Sequence, residues 1–203
     1  MGATVTRPSS SARRFLAAQL AVFALMLSMP SASLVAQSFG ERRAHVGLKL
    51  FRTLLAADTG IHERAGSDGD LLVTFLHVDD SREAANHARE LADHLDAIRG
   101  RSIRVEVASL EKVLGEESYR PAALFVSQRL ATDEIRRLVD YAVRRHVIVF
   151  SPFEGDVERG ILGGISVEAT VRPLINMQTL SASGLAIKAF YLKVAKRYGG
   201  AQP

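Results

Sequence analysis

Four side chains of one short segment, Glu83, His87, Glu90 and His94, recur at intervals of four, three and four residues, which puts imidazole and carboxylate groups on one stripe of a helix. Such a set could hold a divalent metal, but no second cluster in the chain completes a coordination shell, and an exposed polar stripe is the simpler reading. His77, Asp79 and Asp80 stand where a strongly apolar run ends. In open α/β sheets ligands bind beyond the carboxyl ends of the strands, so these three are candidates to line a ligand pocket, with Asp80 and Ser81 also suited to capping a helix. Glu154, Asp156 and Glu158 crowd one polar segment and read as solvated carboxylates. Nucleophilic catalysis finds no support: Ser183-Gly184 lacks the flanking glycine pattern of a serine held on a strand-to-helix turn. No catalytic residue, metal site or cofactor is expected.

These residues must be positioned by alternating strands and helices. Leu48, Phe51, Leu54 and Leu55 repeat at helical spacing within 41–58. Leu71 to Val78 is nearly continuous apolar sequence, as in a strand covered on both faces of a parallel sheet. Ala84, Ala88, Leu91, Leu95 and Ile98 then mark a helix running up to Gly100. Ser102–Val107 alternates like a strand near an edge, Leu110–Leu114 is a short amphipathic segment, and Ala122–Val126 and His146–Phe150 are further buried strands. Between those two strands, a helix capped at Thr132 or Asp133 turns Ile135, Leu138, Val139 and Ala142 inward. This order predicts an α/β fold with a mainly parallel sheet and helices on both faces. After Gly163-Gly164, apolar residues at 165, 167, 169 and 171 alternate with polar ones, the pattern of an antiparallel strand with one wet face, and a helix over 183–198 closes the chain.

The first 36 residues read as a secretory signal peptide: Arg7, Arg13 and Arg14, an uncharged run from Phe15 to Met29, Pro30, then small residues up to a cut near Ala36. The run is shorter than the roughly 20 residues of a permanent span. Arg13-Arg14-Phe15-Leu16 is one residue short of the twin-arginine pattern, which favours the general secretory route. With the leader removed, 23 basic residues of the original 26 face 22 acidic ones, so the pI of about 9.7 belongs largely to the leader and does not point to nucleic acid. The chain has no cysteine, so the exported domain must stand on its core alone, without disulfides or thiol chemistry.

The last quarter supplies a resemblance. Phe153, Gly163-Gly164-Ile165, Ile175-Asn176, Gly184-Leu185-Ala186-Ile187 and Leu192-Lys193-Val194-Ala195 together resemble the pattern of the YfiR-like (YfiR/HmsC) family of exported bacterial proteins. The chain departs from it at Lys188-Ala189-Phe190, in the longer spacing from Phe153 to Gly163, and in lacking cysteines. The resemblance implies a single YfiR-like domain over 41–198 that works in the periplasm as a non-enzymatic regulator. Its partner would be the periplasmic part of an inner-membrane diguanylate cyclase, which it represses, so that cyclic di-GMP signalling and biofilm formation are controlled from outside the cytoplasm. It leaves room for a homodimer. The surfaces expected to meet the partner carry Glu168, Arg172, Lys188 and Lys193. The alternative is a small periplasmic solute-binding protein using the carboxyl ends of the buried strands.

Overall fold

A computed structural model describes Gly2 and residues 32–200. Of the expected leader, residues 1–36, all but Gly2 and 32–36 lie outside the described residues, and 32–36 are helical. The chain divides into two compact units, Met1–Gly40 and Glu41–Pro203, and the sheet belongs to the second. Among the described residues no helix is long and apolar enough to cross a membrane.

The opening helix α1 (Ala32–Ala57) is followed by β1 (Leu71–His77), α2 (Arg82–Ala92), β2 (Ala97–Ile98), β3 (Arg101–Ser109), α3 (Leu110–Gly115), β4 (Ala123–Val126), α4 (Thr132–Arg145) and β5 (Ile148–Phe150). The chain then runs through β6 (Gly163–Val167), β7 (Val171–Asn176), α5 (Met177–Ser183), α6 (Ala189–Val194) and β8 (Lys196–Tyr198). The eight strands form one sheet in the order β2-β3-β1-β4-β5-β6-β7-β8. Pairing is parallel from β3 through β6 and again between β7 and β8; β2–β3 and β6–β7 are antiparallel. The expected α/β fold, mainly parallel with an antiparallel addition, is the one observed.

Period-two alternation sorts the central strand between two cores. Leu71, Val73 and Phe75 join α1 and α2, while Leu72 and Leu76 join α3 and α4. Phe125 of β4 is the hub of the first core: its ring centroid lies 5.5 Å from Phe51, 5.3 Å from Phe75 and 5.8 Å from Phe150. All four phenyl groups are fully buried, and offset or tilted contacts at these distances add to the area they remove from water.

Several boundaries differ from those read in the sequence. The second helix ends at Ala92, because Asp93, His94 and Asp96 are poor helix formers, and Leu95 and Ile98 reach the core from outside it. Gly100 ends no helix; Arg99 (φ 50°) and Gly100 (φ 80°) are the two central residues of a tight hairpin joining β2 to β3, a turn that needs positive φ at both positions. The α4 cap is Ala131, whose N–H is accepted by Glu134, in place of Thr132 or Asp133. His146 does not begin a strand but ends α4 in the left-handed conformation. The alternating stretch after Gly163-Gly164 is a hairpin, with Val167 paired to Val171 around Glu168–Thr170, and Pro173 sits within β7. The closing helix is six residues of α6, preceded by α5 and followed by β8. Gly184 in the left-handed conformation stops α5, and Ala195 is extended before β8.

Candidate functional site

β1 and β4 are neighbours, yet the chain leaves β1 for β3 on its other side, so their carboxyl ends form the topological switch point of the sheet. Gln128, just past β4, bridges to the segment that follows β1 there. Its Oε1 accepts from the N–H of Val78 (2.8 Å) and of Asp79 (3.2 Å), and its Nε2 donates to the carbonyl of Asp80 (2.7 Å). Asp80 is further committed, since its Oδ1 caps the N–H of Arg82 at 3.0 Å and its Oδ2 pairs with the Arg82 guanidinium at 2.6 Å. The backbone hydrogen bond from Arg82 is the main reason its carboxyl sits below the ordinary carboxylate range. Asp79 is exposed, and His77 keeps a buried Nδ1 without a partner. Of the three residues expected to line a pocket, Asp80 has its side chain committed to the start of α2, while those of His77 and Asp79 make no hydrogen bond among the described residues.

The polar stripe on α2 is not one surface. His87 turns inward, its ring 5.6 Å from Phe125, and burial lowers its pKa. Glu90 pairs across to His45 of α1, and His94 lies beyond the helix end, where its carbonyl accepts from Arg52. Among the described residues no group of three or more His, Asp or Glu side chains gathers as a metal site. Asp156, read as solvated, is buried: it accepts from Ser151 Oγ at 2.5 Å and pairs with Arg159. Asn176 completes this structural knot, donating to the Val157 carbonyl at 2.8 Å and capping α5 through Thr179 N–H at 2.9 Å.

A cavity of about 750 Å³ opens at the opposite end of the sheet, among the segments that enter β1, β4 and β5. Its wall includes Asp58, Gly60 and Arg64 after α1, Arg120 and Pro121 before β4, Tyr141, Arg145 and His146 at the end of α4, and Gly184–Ala186. Asp58 is fully buried, pairs with Arg64, and accepts from Gly60 N–H at 2.9 Å. Burial lowers the pKa of Arg64 to about 10, and its Nε is buried without a partner. His146 Nδ1 donates to the Ser183 carbonyl at 2.7 Å, joining α4 to α5. The pocket expected from the sequence at His77, Asp79 and Asp80 includes none of these residues. Arg64, Arg120 and Arg145 share no motif or helical period, so topology alone gathers them.

The residues expected to face a partner fall on the other edge. Glu168 at the β6–β7 turn accepts from Arg172 (2.7 Å) and from Lys196 of β8 (2.6 Å), and these two bonds hold its carboxyl below the ordinary range, Lys196 first. Lys196 falls within the stretch expected to close the chain as a helix, which here is the strand β8. Lys193 is exposed on α6, while Lys188 is half-buried at its start. The structure therefore joins Glu168 and Arg172 but leaves Lys188 and Lys193 apart from them. Among the described residues the exposed large apolar side chains, Val167, Val171, Phe190, Val194 and Tyr198, all belong to β6, β7, α6 and β8.

The fold and these two surfaces define an α/β protein with a basic cavity and an apolar edge. No protein-family model matches the chain, and no curated protein matches it in sequence. Among solved structures, it is similar to a ligand-free, open form of CD0873, a substrate binding protein with adhesive properties from Clostridium difficile, at TM-score 0.49 and 12% identity, over 76% of this chain and 59% of that one. It is also similar to an ABC domain in complex with L-Trp from Streptococcus pneumonia, at TM-score 0.46 and 10% identity, over 71% of this chain and 60% of that one. The chain thus spans about three fifths of these proteins. At this level of similarity, neither what they bind nor how they act transfers to it.

Proposed function

We propose that the protein is an exported, periplasmic regulator of the YfiR-like kind, acting without catalysis. It binds the periplasmic part of an inner-membrane diguanylate cyclase and represses it, so that cyclic di-GMP signalling and biofilm formation follow its release. The observation that carries this reading is that, among the described residues, the exposed large apolar side chains lie on β6, β7, α6 and β8, where Val167 and Val171 are 55% and 50% exposed and Val194 is 56% exposed. Apolar side chains grouped at a surface rimmed by charge, here Glu168, Arg172 and Lys196, are what a protein-binding surface requires. β8 adds an exposed strand edge of three residues to which a partner strand can pair. Repression then needs only a higher affinity for the inactive than for the active state of the cyclase.

The test is capture of a membrane cyclase from solubilised envelopes by the immobilised mature chain, together with cyclic di-GMP levels in a deletion strain. The wild type captures the cyclase, Val167→Ser/Val171→Ser/Val194→Ser does not, and deletion raises cyclic di-GMP. Unchanged cyclic di-GMP on deletion overturns the reading.

For the solute-binding alternative, Gln128 bridges the segments that follow β1 and β4 at the location expected from the sequence. What favours a ligand in this chain is the cavity at the other end of the sheet.

A further inference from the structure

The cavity at the strands' amino ends carries an excess of unanswered positive charge. Of its three arginines, Arg64 is neutralised by the buried Asp58. Arg120 and Arg145 pair with no carboxylate among the described residues. The remaining acid of the wall, Glu63, is exposed and lies 3.9 Å from His62. Arg120 and Arg145 line the cavity together with Tyr141; burial raises the pKa of this phenol, and the two guanidinium charges oppose that rise. The hydroxyl itself is committed, donating to the Tyr119 carbonyl at 3.2 Å, which ties the end of α4 to the segment entering β4.

The wall around them is fixed by backbone bonds. Thr59 N–H donates to the Ala186 carbonyl at 2.8 Å and Lys188 N–H to the Ala57 carbonyl at 2.9 Å. These bonds tie the segment after α1 to the segment after α5. A volume of about 750 Å³ is in the range of metabolite sites, and guanidinium groups are the side chains suited to grip a carboxylate or phosphate through paired N–H donors.

We propose that this cavity is a binding site for a small organic anion, whose carboxylate or phosphate group is held by Arg120 and Arg145. The proposal is independent of the partner at the β6–β8 edge and stands or falls separately from it.

The test is thermal-shift and calorimetric titration of the mature chain at constant ionic strength, with inorganic phosphate and succinate as probes and chloride as the control. Three proteins are compared: the wild type, Arg120→Gln/Arg145→Gln, and Arg136→Gln/Arg144→Gln, which removes the same charge from exposed positions outside the cavity wall. At saturation at least one probe should raise the melting temperature of the wild type and of the surface control by about 3 °C or more. Arg120→Gln/Arg145→Gln should bind at least tenfold more weakly. Response to phosphate alone marks the ligand as a phosphate ester, and response to succinate alone as a carboxylate. In a second measurement on the wild type, phenylglyoxal labelling of Arg120 and Arg145, read by mass spectrometry, should slow in the presence of the binding probe. Absence of saturable binding by either probe, equal binding by the cavity variant, or unprotected arginines overturns the proposal.

Discussion

Gly164→Ala is the sharpest test of how the glycine pair works. A Cβ at Gly164 would lie 2.6 Å from Val157 Cγ2 and 3.0 Å from the Ser151 carbonyl oxygen. Neither neighbour can withdraw easily. Val157 is buried and β-branched, its carbonyl accepts from both Asn176 Nδ2 and Gly160 N–H, and Ser151 N–H donates to Gly163 at 2.9 Å to join β5 to β6. Overpacking of this kind costs about 1–3 kcal/mol. Gly164 does not need positive φ, so alanine also stiffens the unfolded chain, which returns about 0.4–1 kcal/mol. The expected net loss is about 1–2 kcal/mol, or roughly 2–8 °C in melting temperature for a unit of this size. Thermal and urea unfolding followed by far-ultraviolet circular dichroism measure it. In a Val157→Ala background the methyl that clashes is gone, so the same substitution should cost at least about 1 kcal/mol less, a coupling that distant sites do not show. A neutral Gly164→Ala, or strict additivity with Val157→Ala, refutes the claim that the glycine serves close packing.

Other outcomes follow from single side chains. Tyr191 is fully buried with an unpartnered hydroxyl, and burial raises its pKa, so Tyr191→Phe should stabilise the fold by about 1 kcal/mol in urea unfolding; a loss of stability would mean the hydroxyl is bonded. Gln128→Leu keeps the shape but removes three hydrogen bonds at the switch point and should cost about 2–3 kcal/mol, an effect that vanishes if solvent already serves those groups. Burial lowers the pKa of His87 despite the opposing charge of Glu90, so the unfolded chain takes up its proton first as pH falls. Stability should therefore be whole above the ordinary histidine pKa of about 6.5 and decline below it, and His87→Phe should flatten that slope in unfolding curves between pH 7 and 5.

Where local chemistry decided the structure, the sequence could be read. The run Leu71–His77 has no polar face because α1 and α2 cover one side and α3 and α4 the other, and its buried character was visible residue by residue. Where a turn kept the rhythm of its flanks, it could not. Val167, Ala169 and Val171 continue the alternation straight through the hairpin, so nothing in the pattern separates one long strand from two short ones. Gly100 shows the converse: a glycine after a helical stripe reads as a stop, but its partner Arg99 also takes positive φ, and only the register of Ile98 against Arg101 reveals the hairpin. The cavity was illegible for a third reason. Arg64, Arg120 and Arg145 meet because β1 lies beside β4 and α4 ends beside the segment entering β4, which is a fact of strand order and not of spacing.

The topology also limits where recognition can occur. Both faces of the central strands are sealed by side chains of the two cores, so a ligand or partner must approach an end or an edge. At the switch point the carboxyl ends are bridged by Gln128, and the edge at β2 is a two-residue strand followed by a tight turn with charged Arg99 and Arg101. Those arrangements discourage pairing. The amino ends keep a cavity with two arginines that have no carboxylate partner among the described residues, and the β6–β7 hairpin and α6 keep exposed valines near an ion-paired turn. The two sites ask for opposite chemistry, a small anion at one and an apolar protein surface at the other. Charge removal at Arg120 and Arg145 should therefore leave partner capture intact, and serine at Val167, Val171 and Val194 should leave anion binding intact.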